Sequence, residues 1–183
     1  MESKKDIRKC VLEKRSQMTQ EEWDEKSHKI FDKVVSHPFF FSAKTVCCYV
    51  DFRREVGTTN IIEEAWSRGK KVAVPKIEDG QMNFYYIESW QDVSEGYYGI
   101  LEPNTTECLQ DKTPLVIMPG AVFDRNRNRI GYGKGFYDRF LQVYSKSRTI
   151  ALAFELQLVG AVPHEEHDIR PMVLITEEEI YVR

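Results

Sequence analysis

Three stretches of this chain leave no face for water. Thr45 to Val50 (TVCCYV), Leu115 to Gly120 (LVIMPG) and Thr149 to Phe154 (TIALAF) are apolar nearly throughout. A strand points successive side chains to opposite sides of its sheet, so a half-exposed strand has to alternate apolar with polar residues. These runs do not alternate, and each is short for a helix. They are expected as strands covered on both faces, the condition met by a parallel sheet with crossover helices above and below it. The adjacent Cys47 and Cys48 then point to opposite sides.

Helical spacing fills the gaps between them. Ile7, Val11 and Leu12 repeat at helical intervals within the strongly charged residues 4 to 16, and Thr19-Gln20-Glu21-Glu22 reads as a capping box opening a second helix. Trp23, Ile30, Phe31 and Val34 line that helix as far as Pro38. A helix from about Thr58 to Arg68 leads to a strand over Lys71 to Pro75. Asp79-Gly80 predicts a turn into the alternating QMNFYYI, a hairpin partner, and MVLIT supplies a last short strand. The expected fold class is α/β, a single domain over residues 1–183 with a mainly parallel open sheet flanked by helices and an antiparallel hairpin component. At 183 residues and 42% apolar content, the chain has the mass for one core.

Charge narrows the partners. A formal net charge of −3 argues against a broadly basic nucleic-acid binder, so any anion site has to be local. No segment has the apolar length of a signal peptide or a membrane span, which makes the cytoplasm the expected compartment. The four cysteines form neither a CxxC pattern nor a disulfide framework and read as small buried hydrophobes.

One segment stands out as a local anion site. About fifteen residues separate the buried strand at Leu115 from a helix marked by Phe136, Phe140, Leu141 and Tyr144, and loops of that length are usually functional or disordered. Gly131, Gly133 and Gly135, at its far end, let the backbone take φ > 0 and bring amides close to an anion. They precede a helix N-terminus beyond the carboxyl ends of the strands, where such folds bind ligands. Lys134 adds a point charge, and Arg125, Arg127 and Arg129 add positive potential. Asp138, in the first helical turn, is placed either to hold Mg²⁺ against a phosphate or to complement the helix dipole. The pattern is neither GxxxxGK[ST] nor GxGxxG, and by itself it fits a polyphosphate site or a solvated loop.

The longer stretch MPGAVFDRNRNRIGYGKGFYDRFL resembles the signature of the 5-formyltetrahydrofolate cyclo-ligase family, also called methenyltetrahydrofolate synthetases. The likeness continues through KKDIR, REVGT, GILEP and ALAFELQLVGAVPHEEHD, in order along essentially the whole chain. It implies an α/β fold and the closure of 5-formyltetrahydrofolate to 5,10-methenyltetrahydrofolate, with ATP as co-substrate, Mg²⁺ as cofactor, and ADP and phosphate released. Small molecules, folate and ATP, are then the partners, with no nucleic acid and no membrane; a monomer is the expected state, although the sequence does not fix it.

The resemblance also assigns residues. It implies that Arg129, Gly131, Tyr132, Gly133, Lys134, Gly135, Phe136 and Tyr137 hold ATP, with Lys134 and Arg129 acting on the phosphoryl group. Lys4 and Arg8 match the family's N-terminal ATP contacts; their i, i+4 spacing otherwise describes a solvated helical face. Asp138 and Asp168 match the Mg²⁺ ligands. Val50, Glu55, Tyr98 and Phe136 match the folate contacts, with Glu55 suited to the pterin's donor edge; outside the resemblance Glu55 reads as a surface charge and the aromatics as core.

Two positions depart from the family pattern. Tyr132 stands where some members have arginine, and Met172 stands where many have aspartate; Met172 leaves room for a non-catalytic relative that binds ATP or folate without turnover. A sugar-phosphate isomerase on a comparable scaffold is a further alternative; it needs a general base and no ATP. His164 and His167 raise zinc, but a spacing of three just after a proline is not HExxH. Asp124 is either another Mg²⁺ ligand or a cap for the loop after the buried strand.

Overall fold

The structure, a computed structural model, describes residues 3–182. Three helices lead: α1 (Lys4–Ser16), α2 (Gln20–Val35) and α3 (Pro38–Ser42). Then come β1 (Thr45–Cys48), α4 (Thr59–Ser67), β2 (Lys71–Glu78), β3 (Gln81–Ile87), and the pair β4 (Val93–Glu95) and β5 (Leu101–Pro103). The second half holds β6 (Leu115–Met118), β7 (Val122–Phe123), β8 (Arg129–Ile130), α5 (Phe136–Val143), β9 (Arg148–Leu152), β10 (Val173–Ile175) and β11 (Ile180–Val182).

One seven-stranded sheet organises the molecule in the order β11-β10-β9-β6-β1-β2-β3. β10, β9, β6, β1 and β2 run parallel, and the antiparallel β11 and β3 close the two edges. From the centre the chain leaves in two directions, from β1 through α4 to β2 and from β6 through α5 to β9. Right-handed crossovers that diverge in this way place α4 and α5 on opposite faces. They also open a crevice between the carboxyl ends of β1 and β6, the topological switch point at which open α/β sheets bind ligands.

Burial follows from this layering. All four residues of β1 and of β6 are buried, as their unalternating sequences require. Cys48 packs with Ile30, Val34, Phe40, Ile61 and Ile62 beneath α2, α3 and α4, while Cys47 packs with Phe84, Phe140 and Leu141 beneath α5. A third cluster joins Val11 of α1 to Ala121, Val122, Ile130 and Val162, docking the first helix across the end of the sheet.

Local chemistry sets the element ends. Ser3 Oγ accepts from Asp6 N at 3.2 Å to start α1, and the Thr19–Glu22 capping box is formed, with Thr19 N donating to Glu22 Oε2 at 2.9 Å. Asp79 (φ 49°) and Gly80 (φ 75°) make the two-residue left-handed turn that a β2–β3 hairpin needs.

Several expectations shift at this level. Pro38 opens α3 instead of ending α2, because a proline at the first helical position loses no hydrogen bond there. The strand expected as far as Val50 ends at Cys48, and LVIMPG is extended only to Met118. The MVLIT strand covers Val173–Ile175 and is followed by β11, hidden in a charged stretch. The long loop after β6 is not structureless, since β7 and β8 pair within it.

Candidate functional site

A cavity opens at the carboxyl end of β6 against the start of α5. Lys4 and Arg8 of α1, Pro119, Arg129, the run from Ile130 to Arg139, Gln142, His167 and Asp168 line it. Every residue assigned above to ATP or Mg²⁺ therefore faces one space, although the set spans more than 160 positions of the chain.

The loop that carries the glycines is rigid at its base. Gln157 is buried and donates through Nε2 to Gly120 O at 2.9 Å and Ala121 O at 3.0 Å, fixing where the chain leaves β6. Asp124 is also buried and accepts from Asn126 N, Asn128 N, Asn128 Nδ2 and Val162 N, between 2.8 and 3.0 Å. Those four donors make it the pin of the β7–β8 turn, outside the lining of the cavity, and its role is capping. Arg127 is likewise structural: its Nε donates to Pro171 O at 3.0 Å in a buried setting. Of the three loop arginines expected to supply positive potential, only Arg129 lines the cavity.

The glycines divide by cause. Gly133 (φ 94°) and Gly135 (φ 65°) occupy left-handed backbone that side chains disfavour. Gly131, expected to share that conformation, does not have it; a Cβ there would sit 2.9 Å from Arg129 Nη1, so close approach of the guanidinium explains that position. Gly135 is also the N-cap of α5 and offers no side-chain cap, which leaves first-turn N–H groups without a side-chain partner. A helix N-terminus in this state is a natural anion seat.

Cations and carboxylates face each other across the same space. Arg129, with its side chain only 6% exposed, donates through Nη2 to Asp138 Oδ1 at 3.0 Å, and its buried Nε has no hydrogen-bond partner among the described residues. Lys4 Nζ lies 2.9 Å from Asp168 Oδ2, and this bond raises the lysine's affinity for its proton. Burial works against ionisation of Asp168, but Lys4 and the Glu165 N–H outweigh it and hold the carboxyl below its usual range. Ile169 N donates to Asp138 Oδ1 at 3.1 Å, so the residue after Asp168 is tied to the first turn of α5. Arg8 Nη1 reaches Gly131 O at 3.4 Å, and Lys134 stays exposed at the loop tip.

This donor set fits Mg²⁺. Asp138 commits Oδ1, and Asp168 commits Oδ2, to protein partners, while the second oxygen of each carries no short hydrogen bond. Two hard oxygen ligands with room for phosphate and water are what Mg²⁺ accepts. Among the described residues no cluster of three or more His, Cys, Asp or Glu has metal-holding geometry, and His164 Nδ1 lies 3.4 Å from Val162 O, away from any such group. Met172 does not line the cavity; it is exposed, and its N–H donates to Thr149 Oγ1 at 2.8 Å.

The folate candidates fall on the other side of the crevice. Val50 packs against the core at the end of β1, and Glu55 sits in the loop that follows. Arg53 (φ 47°) and Arg54 (φ 61°) are consecutive left-handed residues in that loop, a conformation costing about 1–2 kcal/mol per residue outside glycine. Neighbouring groups hold them there. Glu55 Oε2 accepts from Phe52 N at 2.9 Å, Trp23 Nε1 donates to Glu55 O at 2.7 Å, and Arg15 Nη2 donates to Arg53 O at 3.1 Å. Burial pushes the Glu55 carboxyl up to about 6, against the opposing pull of the Tyr132 hydroxyl, the Arg15 charge and the Phe52 N–H. Tyr98 (φ 58°) is exposed on the turn between β4 and β5, beside Gly99, which lies next to the Phe52 ring. Phe136 lines the glycine-loop cavity and not the Glu55 side.

Arg15, Arg139 and Gln142 were not singled out from the sequence. Arg139 and Gln142 follow Asp138 on the cavity face of α5, and Arg139 Nη1 donates to Lys134 O at 2.8 Å. Arg15 had a signal, since Lys4, Arg8, Val11 and Arg15 form one i, i+4, i+7, i+11 stripe on α1.

Comparison with known proteins gives this geometry a context. The model of the 5-formyltetrahydrofolate cyclo-ligase family matches residues 1–177. The 5-formyltetrahydrofolate cyclo-ligase of Escherichia coli K12 is 28% identical over 181 residues, covering 93% of this chain and 98% of that protein. The Mus musculus protein of the same name is 25% identical over 183 residues, covering 92% and 90%. The NMR structure of the 5,10-methenyltetrahydrofolate synthetase of Aquifex aeolicus superposes with a TM-score of 0.88 at 31% identity, covering 98% of this chain and 92% of that one.

Proposed function

The chain belongs to the 5-formyltetrahydrofolate cyclo-ligase family, and on that premise we propose that it closes 5-formyltetrahydrofolate to 5,10-methenyltetrahydrofolate by a route driven by ATP with Mg²⁺. The observation that carries this reading is the single cavity in which Lys4, Arg8, Arg129 and Lys134 face Asp138 and Asp168 at the uncapped start of α5. A polyphosphate with a divalent ion matches that mixture of charges. Neither alone does.

The chemistry explains why phosphoryl transfer is needed. A formamide oxygen is a poor leaving group, and the anilinic N10 is a weak nucleophile. The formyl oxygen attacks the γ-phosphorus of ATP, and ADP departs. The N10 lone pair then attacks the activated carbon, the C–O bond breaks, phosphate carries the oxygen away, and the N10 proton is lost. No covalent enzyme nucleophile is required. The protein aligns two ligands and stabilises charge on the moving phosphoryl group.

Specific residues divide that work. The first-turn amides of α5 and the backbone of the glycine loop cradle phosphate oxygens, and Lys134 brings its ammonium to the charge that develops in transfer. Arg8 and Lys4 grip the nucleotide from α1. Arg129, already paired with Asp138, has an Nε that can turn its remaining donor capacity to a phosphate. Asp138 and Asp168 would hold Mg²⁺, which when bound neutralises phosphate oxygens. Glu55 accepts hydrogen bonds from the pterin's donor edge, with Val50 and Tyr98 as apolar contacts, while Phe136 lines the phosphate-side cavity.

Family membership replaces the isomerase alternative. The non-catalytic alternative rested on Met172, and that residue lies outside the cavity lining. No helix among the described residues is long and apolar enough to cross a membrane. The direct test mixes the protein with 5-formyltetrahydrofolate, ATP and Mg²⁺ and follows the methenyl chromophore. Its appearance only when all three are present supports the reading; its absence with folded protein overturns it.

A further inference from the structure

The side chain at position 132 does not behave like the rest of the glycine loop. Tyr132 projects from the tip between Gly131 and Gly133, yet its hydroxyl turns toward the loop after β1. Arg15 Nη1 donates to Tyr132 Oη at 3.0 Å, and the guanidinium carbon lies 5.9 Å from the ring centroid. Arg15 is only 3% exposed, and its other terminal nitrogen holds Arg53 O, the carbonyl of the first strained residue. The Tyr132 hydroxyl and the Arg15 charge both act on the Glu55 carboxyl. A buried cation, a phenol and a carboxylate thus meet where the two loops of the crevice touch.

We propose that Arg15 and Tyr132 are positioning residues for Glu55, a strut that ties the phosphate-side loop to the folate-side loop and fixes the carboxylate that meets the pterin. The proposal rests on the reading of Glu55 as a folate contact. The Tyr132 hydroxyl is held by Arg15 on the side of the loop after β1, leaving the phosphate cradle to backbone amides and lysine. An arginine withdrawn from water on a highly charged helix is costly unless its donors are used. Here both used donors serve the 51–57 segment, one through Arg53 O and one through Tyr132. In this chain the strut also places a cation behind the position where some relatives carry an arginine in the loop itself.

Glu55 is enclosed from several elements. Arg15 faces it from α1, Tyr132 from the glycine loop, Tyr137 from the start of α5, Tyr49 from the end of β1, and Asp51 from its own loop. Of these only Arg15 carries positive charge, and the Tyr132 hydroxyl and the Arg15 charge both favour the ionised carboxylate. Removing that hydroxyl leaves only Arg15 and the Phe52 N–H to oppose burial and Asp51, which moves the balance toward the neutral acid.

Tyr132→Phe deletes a single oxygen from a residue that is 43% exposed, so the fold is retained. The variant is expected to raise KM for 5-formyltetrahydrofolate about three- to tenfold, the scale of one ordinary intramolecular hydrogen bond, with KM for ATP unchanged. The acid limb of kcat/KM for the folate, near pH 6 in the parent, should move to higher pH, a readout that a purely structural role would leave alone. Arg15→Lys keeps a charge but loses the two-pronged grip and should shift the same limb in the same direction. Glu55→Gln, run in parallel, should raise KM for the folate and abolish the limb. If Glu55→Gln behaves so while Tyr132→Phe keeps both the parental KM and the parental limb, the strut is overturned and the folate reading stands. If Glu55→Gln itself leaves KM for the folate untouched, the reading of Glu55 falls and the strut falls with it.

Discussion

The loop after β6 turns at Gly133 and Gly135, whereas the loop after β1 turns at Arg53 and Arg54. Both reach the crevice between the same two strands, and both use left-handed backbone to do it. Where glycine supplies the turn, the conformation costs no steric strain and the tip stays bare, so amides can approach a ligand. Where arginine supplies it, the strain has to be balanced by side chains from elsewhere, here Arg15 of α1 and Trp23 of α2. The first loop can therefore act through its main chain. The second presents a side chain, Glu55, whose placement depends on helices outside the sheet. Damage to the first should appear in turnover of the phosphoryl group, and damage to the second in affinity for the folate.

The sharpest way to break this contrast is Lys134→Ala. Its ammonium is exposed and has no ion pair among the described residues, so the melting temperature should not move. The loss in kcat should be about a hundredfold or more, since the charge acts on the transferring group. A near-normal kcat in folded protein would remove the phosphate-side loop from the chemistry.

Next come the two aspartates. Asp138→Asn and Asp168→Asn should each cost about ten- to a hundredfold in productive Mg²⁺ affinity, with partial recovery at high Mg²⁺. Acting through one ion, the double variant should lose less than the product of the single losses. Asp138→Asn should also lower the melting temperature, because Arg129 is almost buried, whereas Lys4 is 35% exposed and can turn to water or to Glu165. Strictly multiplicative losses without rescue would separate the two carboxylates.

A smaller effect comes from pH. The Glu55 carboxyl is raised to about 6, so it is ionised above that value, as its proposed role toward the pterin requires, and protonated below it. kcat/KM for 5-formyltetrahydrofolate should fall about tenfold by pH 5, while KM for ATP changes little. Equal pH profiles for both substrates would erase the proposed division of labour between the loops.

The smallest effect concerns strain. Arg53→Gly removes a side chain whose contact is a stack over Phe52 at 5.0 Å and places glycine at φ 47°. The variant should be stabilised by up to about 1 kcal/mol, the left-handed penalty less the entropy of the glycine. A destabilised variant would mean that the arginine, and not its clamps, shapes the turn.

Much of the architecture was legible because it follows from burial. TVCCYV, LVIMPG and TIALAF became central strands for the reason their sequences gave, and Asp79-Gly80 made its hairpin turn. The elements that escaped notice are short or chemically disguised. β7 and β8 have two residues each, too few for alternation to register, and β11 follows three glutamates. α3 hides behind a proline read as a stop. At the site, the glycines and Lys134 could be found from local pattern, but Lys4, Arg8, Glu55 and Asp168 depended on the family resemblance, because their meaning arises only when distant segments meet. Arg15 was missed because an arginine on a charged helix looks solvated until the partner that buries it is known.

The pairing of Lys4 with Asp168 sets a condition on synthesis. At about 5–20 residues per second, a ribosome releases residue 168 roughly 8–30 s after residue 4. Throughout that interval the Val11 face of α1 lacks its far neighbour Val162, and Lys4 lacks its carboxylate. The nascent chain can assemble β1 to β6 early, yet the end of the sheet beneath α1 stays open until the segment before β10 has emerged. A polypeptide stalled short of that point would carry five of the seven strands, with Lys4 and the Val11 face of α1 still waiting for their partners.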